Sequence, residues 1–573
     1  MLHLDPDQQR AVDADAPFLA VVAGAGAGKT RVLVARVCRL LRDGTLPERI
    51  LVVTFTHAAA DELRARIGAA TDAATAAAIT IGTFHGVAYA LIQAHPEWAN
   101  RRPGWDLWTD AEVEAAAADA ARDVGAKVHK LRGTGRADVA RTLSPPAVRF
   151  AYIRAMTAAN ALDYDALEGA FLSAAARGLI GDLWHEVLVD EVQDVSPAQA
   201  EIVECLECPG PGATRITVVG DPRQSIYRFR GADPRVLQRW LASPGVTTVH
   251  LARNYRSGDA IVSAGNALSR AMTLGLPDVE AAGECGAWAA VVPECADEGA
   301  TVAEIVTAHG RDPGTVAIIG RTWRHLEQIA DALSRARVPW QYMRRESATS
   351  SRAAAVFDAG CRCAVSPGND AAVVALLRAL RIPESEIDRY RGRAARRRQP
   401  LIYVATEIKE IIRGINASTS TDLAAVHFVR AAGFSPAAGS TVFDRVDAWT
   451  AARAKDGRSV SVADWLAYGA GLSRDEPAAK PDGAVALVTA HGAKGLEWPC
   501  VVVVGAAEGI WPSARSARNP EDVEEERRLF YVAITRAERE LYVTWPRERE
   551  PWPGAMPDAC RASRYVAELN GQE

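Results

Sequence analysis

A chain of 573 residues exceeds what one hydrophobic core holds, so about three to four domains are expected. Its hydrophobic share of 49% and charged share of 24% are those of an ordinary globular protein and exclude a disordered tail protein. With 66 Lys+Arg against 71 Asp+Glu the net charge is -5, so any nucleic-acid surface must be a local stripe of Lys and Arg, not a property of the whole chain.

The N-terminal segment Met1–Asp7 has neither a basic n-region nor an apolar h-region, so no secretory signal is expected. Apolar runs such as Val501–Val504 are far short of a membrane span, and a cytoplasmic location, bacterial or phage-type, is the expectation. Nine scattered cysteines point to reduced thiols. Cys205 and Cys208 form a CxxC, and Cys361 and Cys363 a CxC. Neither has the second CxxC or nearby His that would complete a zinc site, so small free thiols are the favoured reading.

In chain order, β-rich runs fall at Phe18–Val22, Ile50–Thr54, Ile79–Gly82, Glu186–Asp190 and Arg215–Gly220. A second set falls at Val246–Leu251, Thr315–Gly320, Ala484–Thr489, Cys500–Gly505 and Leu541–Thr544. Helical patterns alternate with them, which predicts α/β architecture with two parallel sheets of about five strands each. Each set is split by a helical stretch, 96–180 and 346–483; the first carries Ala-rich sequence such as Glu112-Val113-Glu114-Ala115. The expected domains are a first core at 1–95 with 181–245, a helical insert at 96–180, a second core at 246–345 with 484–555, an insert at 346–483 and a tail at 556–573.

Phe18–Val22 runs into Ala23-Gly24-Ala25-Gly26-Ala27-Gly28-Lys29-Thr30 and then a helical pattern. Small residues there let backbone N–H groups close around phosphate oxygens at a helix N-terminus. Lys29 would reach the β- and γ-phosphates of ATP, and the Thr30 hydroxyl would bind Mg²⁺. The strict pattern starts with Gly where this chain has Ala23, and the plain alternative is a Gly-rich turn that precedes Lys-Thr. Leu188-Val189-Asp190-Glu191 ends another predicted strand. Asp190 there can hold Mg²⁺ and Glu191 can polarise an attacking water; the alternative is a surface acid pair. After the strand that ends at Gly220, Gln224 can sense a γ-phosphate. Tyr227 and Phe229, flanked by Arg228 and Arg230, suit base stacking in a cationic groove or, as the alternative, core packing.

Taken together these segments resemble superfamily 1A helicases of the UvrD/Rep/PcrA group. Gln8, in Leu4-Asp5-Pro6-Asp7-Gln8, matches the motif that recognises adenine in that family. Thr54-Phe55-Thr56 with Glu62 and Arg66, and Thr83-Phe84-His85, resemble its strand-contacting motifs. Val189–Asp194 and Gly220–Ala232 resemble its metal/water and sensor motifs. Asn254-Tyr255-Arg256-Ser257 fits the motif whose Tyr packs on the base and whose Arg touches the γ-phosphate. Thr489–Glu497 and Glu524–Ala537 match the fifth and sixth motifs, the fifth coupling DNA to nucleotide.

The resemblance implies two RecA-like cores with ATP between them. The first would supply Lys29, Thr30, Asp190, Glu191 and Gln224, and the second Arg256 and Arg536. It also implies nucleotide contacts from Gln8, the Ala23–Gly28 loop, Arg31, Tyr255 and Glu497, and single-strand contacts from Phe55, Thr83, Phe84, His85, Tyr227, Phe229 and His491. The implied activity is a 3′→5′ DNA helicase or translocase, acting on single strands and single/double-strand junctions, with repair or replication proteins as partners. Pathway and oligomeric state stay open. His57-Ala58 replaces the usual Asn-Lys, Gly492 replaces a Ser, and Phe229 replaces a frequent Trp; none of these is needed for hydrolysis.

Arg389, Arg391, Arg393, Arg396, Arg397 and Arg398 form a dense run in the second insert, suited to duplex phosphates or to a solvated helix face. A translocase that strips proteins from DNA would carry the same motifs. A non-catalytic scaffold is opposed by the intact Lys29, Asp190, Glu191, Arg256 and Arg536. A helicase–nuclease is opposed by the 36 residues that follow Ala537 in the chain of 573.

Overall fold

The computed structural model describes residues 3–126, 136–207, 214–282, 288–308, 311–343, 352–416, 418–434, 482–549 and 558–569, with 442–443, 446–447, 450, 460–462 and 465–466. Cys208 and the Arg230 side chain lie outside what is described. Contacts divide the chain into one unit of Met1–Thr83, Ala175–Arg345 and Asp475–Glu573, and another of Phe84–Ala174 and Glu346–Arg474.

The first unit holds two six-stranded sheets, and every neighbouring pair in them is parallel. The strands of the first are β1 (Phe18–Ala23), β2 (Ile50–Thr54), β3 (Thr80–Thr83), β4 (Glu186–Val189), β5 (Arg215–Gly220) and β6 (Thr247–Leu251), in the order β3-β2-β4-β5-β1-β6. The second has β7 (Trp288–Cys295), β8 (Val316–Gly320), β9 (Trp340–Tyr342), β10 (Val485–Thr489), β11 (Trp498–Val503) and β12 (Ala537–Pro546), in the order β7-β12-β11-β8-β10-β9. Central strands such as β1, β2 and β8 are buried along their whole length, as parallel strands covered on both faces must be.

Two expectations are corrected here. The run at Val246–Leu251 belongs to the first sheet, where β6 pairs with β1 from Leu19–Thr247 to Ala23–Leu251. Each sheet has six strands, because β7 and β9 join the second one. All three lie at sheet edges; the hydrophobic signal that identifies central strands is weak in the largely exposed or half-buried β7 and β9, while the run that forms β6 is legible as a strand and only its sheet differs.

The second unit is mainly helical, with helices such as Asp110–Asp123, Pro146–Ala158, Arg352–Val365, Asp370–Ala379 and Glu384–Arg397. Its two chain segments share a buried polar centre. Arg362 donates to the Leu107 carbonyl at 2.7 Å and lies 3.5 Å from Glu112, while Asn369 donates to Asp106 and Glu112, both at 2.9 Å. Thus 84–174 and 346–474 fold as one contact unit, whereas the sequence reading set two helical stretches apart. Among the described residues no helix is long and apolar enough to cross a membrane.

At the N-terminus, Pro6–Asp13 forms α1 and Lys29–Arg42 forms α2. Buried Arg36 of α2 donates to the carbonyls of Ala11, Val12 and Ala14 at 3.0, 3.1 and 2.9 Å, and to the Thr217 hydroxyl at 2.9 Å. It therefore closes the C-terminal end of α1 and fixes that helix beside the phosphate loop. Arg36→Met keeps most of the volume but strands those carbonyls, so it is expected to cost about 2 kcal/mol. Denaturant unfolding checks this, and an unchanged midpoint would show that α1 is held by its apolar face alone.

Candidate nucleotide site and nucleic-acid interface

β1 ends at Ala23 and α2 begins at Lys29, so Gly24–Gly28 form the turn between them. Ala23 is the last strand residue, buried and paired with Leu251, which explains why alanine serves where the strict pattern has glycine. Gly26 and Gly28 have φ of 71° and 81°, in the left-handed region where glycine is unstrained. A Cβ on Gly26 would come within 2.4 Å of Asn254 Oδ1, and one on Gly28 within 2.8 Å of Gln8 Nε2. The loop is thus shaped against two other motifs. The Tyr255 N–H donates to the Gly26 carbonyl at 2.9 Å, and Gln8 Nε2 donates to the Ala27 carbonyl at 3.0 Å. Gln8 Oε1 accepts the Asp5 N–H at 3.3 Å. That leaves the Gln8 amide one further N–H and one further lone pair, the complement of an adenine edge. The Arg31 guanidinium lies over the Tyr255 ring, 5.9 Å from its centroid.

Asp190 and Glu191 follow β4, and Glu191 has a left-handed φ of 50°. Lys29 Nζ lies 3.0 Å from one Glu191 oxygen and 3.2 Å from the other. Burial opposes both charges. The Glu191 carboxyl is nonetheless held down at about 2 by Lys29 and Lys494, and the Lys29 ammonium is raised by Glu191, Asp190 and Asp221. Asp190 is pushed up to about 7 by its own burial and by the Glu191 charge, although Lys29 opposes the rise. The Thr30 hydroxyl belongs to the first turn of α2, on the loop side of the same site.

Glu191 is joined to the sensor segment through Gln193, which donates to its carboxylate and accepts the Asp221 N–H at 3.0 Å. Gly220 is needed there, since a Cβ would sit 2.4 Å from Gln193 Oε1. Gln224 donates to Asp221 at 2.8 Å and accepts from Arg536 Nη2 at 3.2 Å. Arg536, 1% exposed, also donates to the Val532 and Leu496 carbonyls at 2.9 and 3.3 Å. Burial and the neighbouring Arg256 lower its pKa to about 9. Arg256 donates to Glu497 at 2.6 Å and to the Thr535 carbonyl at 3.3 Å. It follows β6 of the first sheet and so stands at the crossover between sheets, not inside the second core as expected.

A row of rings lies beside this network. Phe55 stacks on Tyr227 with centroids 5.1 Å apart and planes 14° apart. Tyr227 meets Phe229 edge-on at 6.0 Å, and Phe229 meets His491 edge-on at 5.5 Å. The two alternatives for the aromatics divide: Tyr227 is 7% exposed and packs in the core, while Phe229 is 65% exposed. The expected cationic flank is altered too, because Arg228 is engaged by Glu521 and by Asp522, the latter at 3.1 Å. These acids open the helix Pro520–Ile534, where the helix dipole favours them. Thr83 ends β3 in the first unit. Phe84, buried, and His85 open the helix Phe84–Ala94 in the second, where the His85 ring meets Tyr164 at 5.2 Å and Glu168 lies 3.5 Å away.

The sequence reading gave no separate role to Lys494, yet this residue touches both halves of the site. Its ammonium is paired with Asp194, donates to the Gln224 carbonyl at 2.8 Å and lies 4.7 Å from the Tyr227 ring centroid. Gln193, Asp194 and Asp221 went unassigned as well. Their signal was present as polar residues close behind buried strands, Gln193 and Asp194 within five residues of Val189 and Asp221 directly after Gly220. In the second unit, Arg391 is bound to Asp119 at 2.6 Å, Arg389 to Glu386 at 3.1 Å, and Arg393 lies over Tyr390. Arg396, Arg397 and Arg398 of the same run are exposed.

A family profile described as the UvrD/REP helicase N-terminal domain matches residues 4–138 and 147–243, and one described as the UvrD-like helicase C-terminal domain matches 458–548. The chain is 29% identical to ATP-dependent DNA helicase UvrD2 of Mycobacterium tuberculosis, over 96% of this chain and 79% of that protein. It is 28% identical to UvrD1 of the same organism, over 99% and 85% of the two chains. It is also 28% identical to DNA helicase II of Escherichia coli, over 99% and 87%.

Lys494→Met removes the charge between the ring row and the acids while keeping the chain length. Pairing it with Asp194→Asn avoids a buried unpaired carboxylate. The double variant is expected to lose about tenfold of its strand-stimulated ATP turnover, with unstimulated turnover changed much less. Phosphate release with and without single strands measures both, and an unchanged ratio would remove Lys494 from the coupling.

Proposed function

Since the chain belongs to the UvrD/Rep helicase family, whose members act as ATP-dependent DNA helicases, we propose that it moves 3′→5′ on single-stranded DNA and opens the duplex at junctions, in repair, replication or recombination. The observation that carries the reading is the run of contacts from the Lys29–Glu191 pair, through the Asp194 N–H on the Glu191 carbonyl at 3.0 Å, to Lys494 on Asp194 and over the Tyr227 ring. We read the chain as two RecA-like cores bearing helical insertions.

In this reading Gln8 and Tyr255, with Arg31, take the base, and the Ala23–Gly28 loop and Lys29 take the phosphates. Thr30 and Asp190 are the groups that would hold Mg²⁺. A buried carboxyl whose pKa is raised by a neighbouring anion fits a cation partner, and the ion would offset phosphate charge. Glu191 orients the attacking water. Its carboxylate is kept ionised, as that role requires, and Gln193 fixes its direction. Arg256 and Arg536 offset charge on the transferring phosphoryl group. Both are held by residues of the 496–535 region, so their approach depends on how the second sheet sits against the first. Phe55, Tyr227, Phe229 and His491 stack on bases in a sequence-tolerant way, at about 1–3 kcal/mol per base. Thr83, Phe84 and His85 are read as further single-strand contacts.

Lys29→Ala is expected to abolish turnover, and Glu191→Gln to keep nucleotide binding while losing turnover. Arg536→Lys, chosen because the site is buried, is expected to lower kcat by about 10³ or more with a smaller change in nucleotide affinity. ATPase assays with single-stranded DNA test all three; parental turnover in Glu191→Gln would refute the site assignment.

The exposed triplet Arg396–Arg398 is assigned to duplex phosphates. Replacing all three with Ala is expected to flatten the salt dependence of tailed-duplex binding, by about 0.9 in log–log slope per lost phosphate contact. Binding to bare single strand should hold, and an unchanged slope would make the triplet a solvated face.

A further inference from the structure

The carboxylate of Asp5 does two things with two oxygens. Oδ1 accepts the N–H groups of Asp7 and Gln8, both at 2.8 Å, and so caps α1. Oδ2 accepts the hydroxyl of Tyr255 at 2.5 Å, from a segment 250 residues away. Capping needs only one acceptor, and a Ser would supply it. The second oxygen has no part in holding the helix.

Tyr255 needs such an anchor. Its backbone is fixed to the loop through the Gly26 carbonyl, but its ring is half-exposed, so packing leaves the side-chain direction under-determined. A short hydrogen bond from a hydroxyl to a carboxylate is of the stronger, charge-assisted kind. A second tie runs the same way, from the Ala252 N–H to Asp7 at 3.4 Å. Burial disfavours the Asp5 charge, yet the Tyr255 hydroxyl and the two N–H groups outweigh it and hold the carboxyl below its usual range. The Tyr255 phenol is raised by burial and by Asp5, so it stays a donor.

We propose that Asp5 is a positioning residue for the nucleotide base, acting through the Tyr255 hydroxyl to set the stacking ring against the Gln8 amide. This rests on the reading of Tyr255 as the ring that packs on the base. Asp5 and Gln8 belong to the same capped turn. The group that reads the base edge and the group that covers its face are therefore referenced to one point of the backbone. A rotated ring would lose base affinity while leaving the phosphate grip of Lys29 and the loop intact.

The test compares ATP with inorganic tripolyphosphate, which has no base. The variants are Asp5→Ser, which keeps the cap and loses the second oxygen, Tyr255→Phe, the double variant, and Tyr255→Ala. Asp5→Ser and Tyr255→Phe should each raise the KM for ATP about tenfold, with kcat near the parent value and inhibition by tripolyphosphate unchanged. The double variant should be no worse than either single one, because both remove the same bond. If Tyr255→Ala raises KM but neither Asp5→Ser nor Tyr255→Phe does, the Asp5 role is wrong and the base reading stands. If Tyr255→Ala leaves KM unchanged, the base reading itself fails. Additive losses in the double variant, or equal weakening of ATP and tripolyphosphate, would show that Asp5 does not act through the Tyr255 hydroxyl and overturn the proposal.

Discussion

Lys29 and Glu191 pair at 3.0 Å in a half-buried site, and the surrounding structure is what such a pair demands. A buried ion pair holds only when its remaining donors and acceptors are also satisfied. Gln193 meets Glu191, and Asp221 and Gln224 continue the bonding to Arg536. Four acids, Asp190, Glu191, Asp194 and Asp221, crowd the carboxyl ends of β4 and β5. The first sheet supplies Lys29 and Arg223 against them, while Lys494 and Arg536 come from segments of the second. Charge balance in the cleft therefore depends on both sheets. A nucleotide carrying several negative charges would add to the negative side of that balance.

The same segment that brings Lys494 brings the rest of the link. Between Thr489 and Glu497 lie His491, which meets the exposed ring of Phe229, then Lys494, then Leu496, whose carbonyl accepts from Arg536, and Glu497, which holds Arg256. Within nine residues of one turn, ring contact, acid contact and both arginines are registered together. Such a short, bonded segment ties the positions of these groups to one another.

What could be read from the sequence followed burial. Central strands announced themselves as continuous apolar runs, and eight of the ten expected runs match a strand of the same sheet within about two residues at each end or close to it, the longest strand, Ala537–Pro546, being the main exception. The edge strands Trp288–Cys295 and Trp340–Tyr342 did not, since each exposes part of its length, whereas Thr247–Leu251 was legible as a strand and only its sheet was not. The phosphate loop was legible because its glycines answer to backbone geometry, and even its departure at Ala23 has a local cause. Charge partners were not legible. Arg228 looked like a groove cation and is engaged by Glu521 and Asp522, almost three hundred residues later. The arginine run looked uniform, yet Arg391 is bound to Asp119 while Arg396–Arg398 are exposed. Periodicity reports which face is buried; it carries no information about which opposite charge arrives from a distant segment.

The arginines of this protein also differ in how firmly they are held, and the difference follows exposure. Arg536 and Arg36 are buried, each bonded to at least two backbone carbonyls, and cannot leave without stranding those acceptors. Arg228 is paired with carboxylates that are themselves well exposed, and pairs of that kind contribute about 0–1 kcal/mol. Bonds of the first sort define the frame; bonds of the second sort can be exchanged for a phosphate at little cost. Between Tyr227 and Phe229, then, the ring contact is the fixed part of this surface, and the arginine between them is held by an interaction weak enough to be exchanged for another anion.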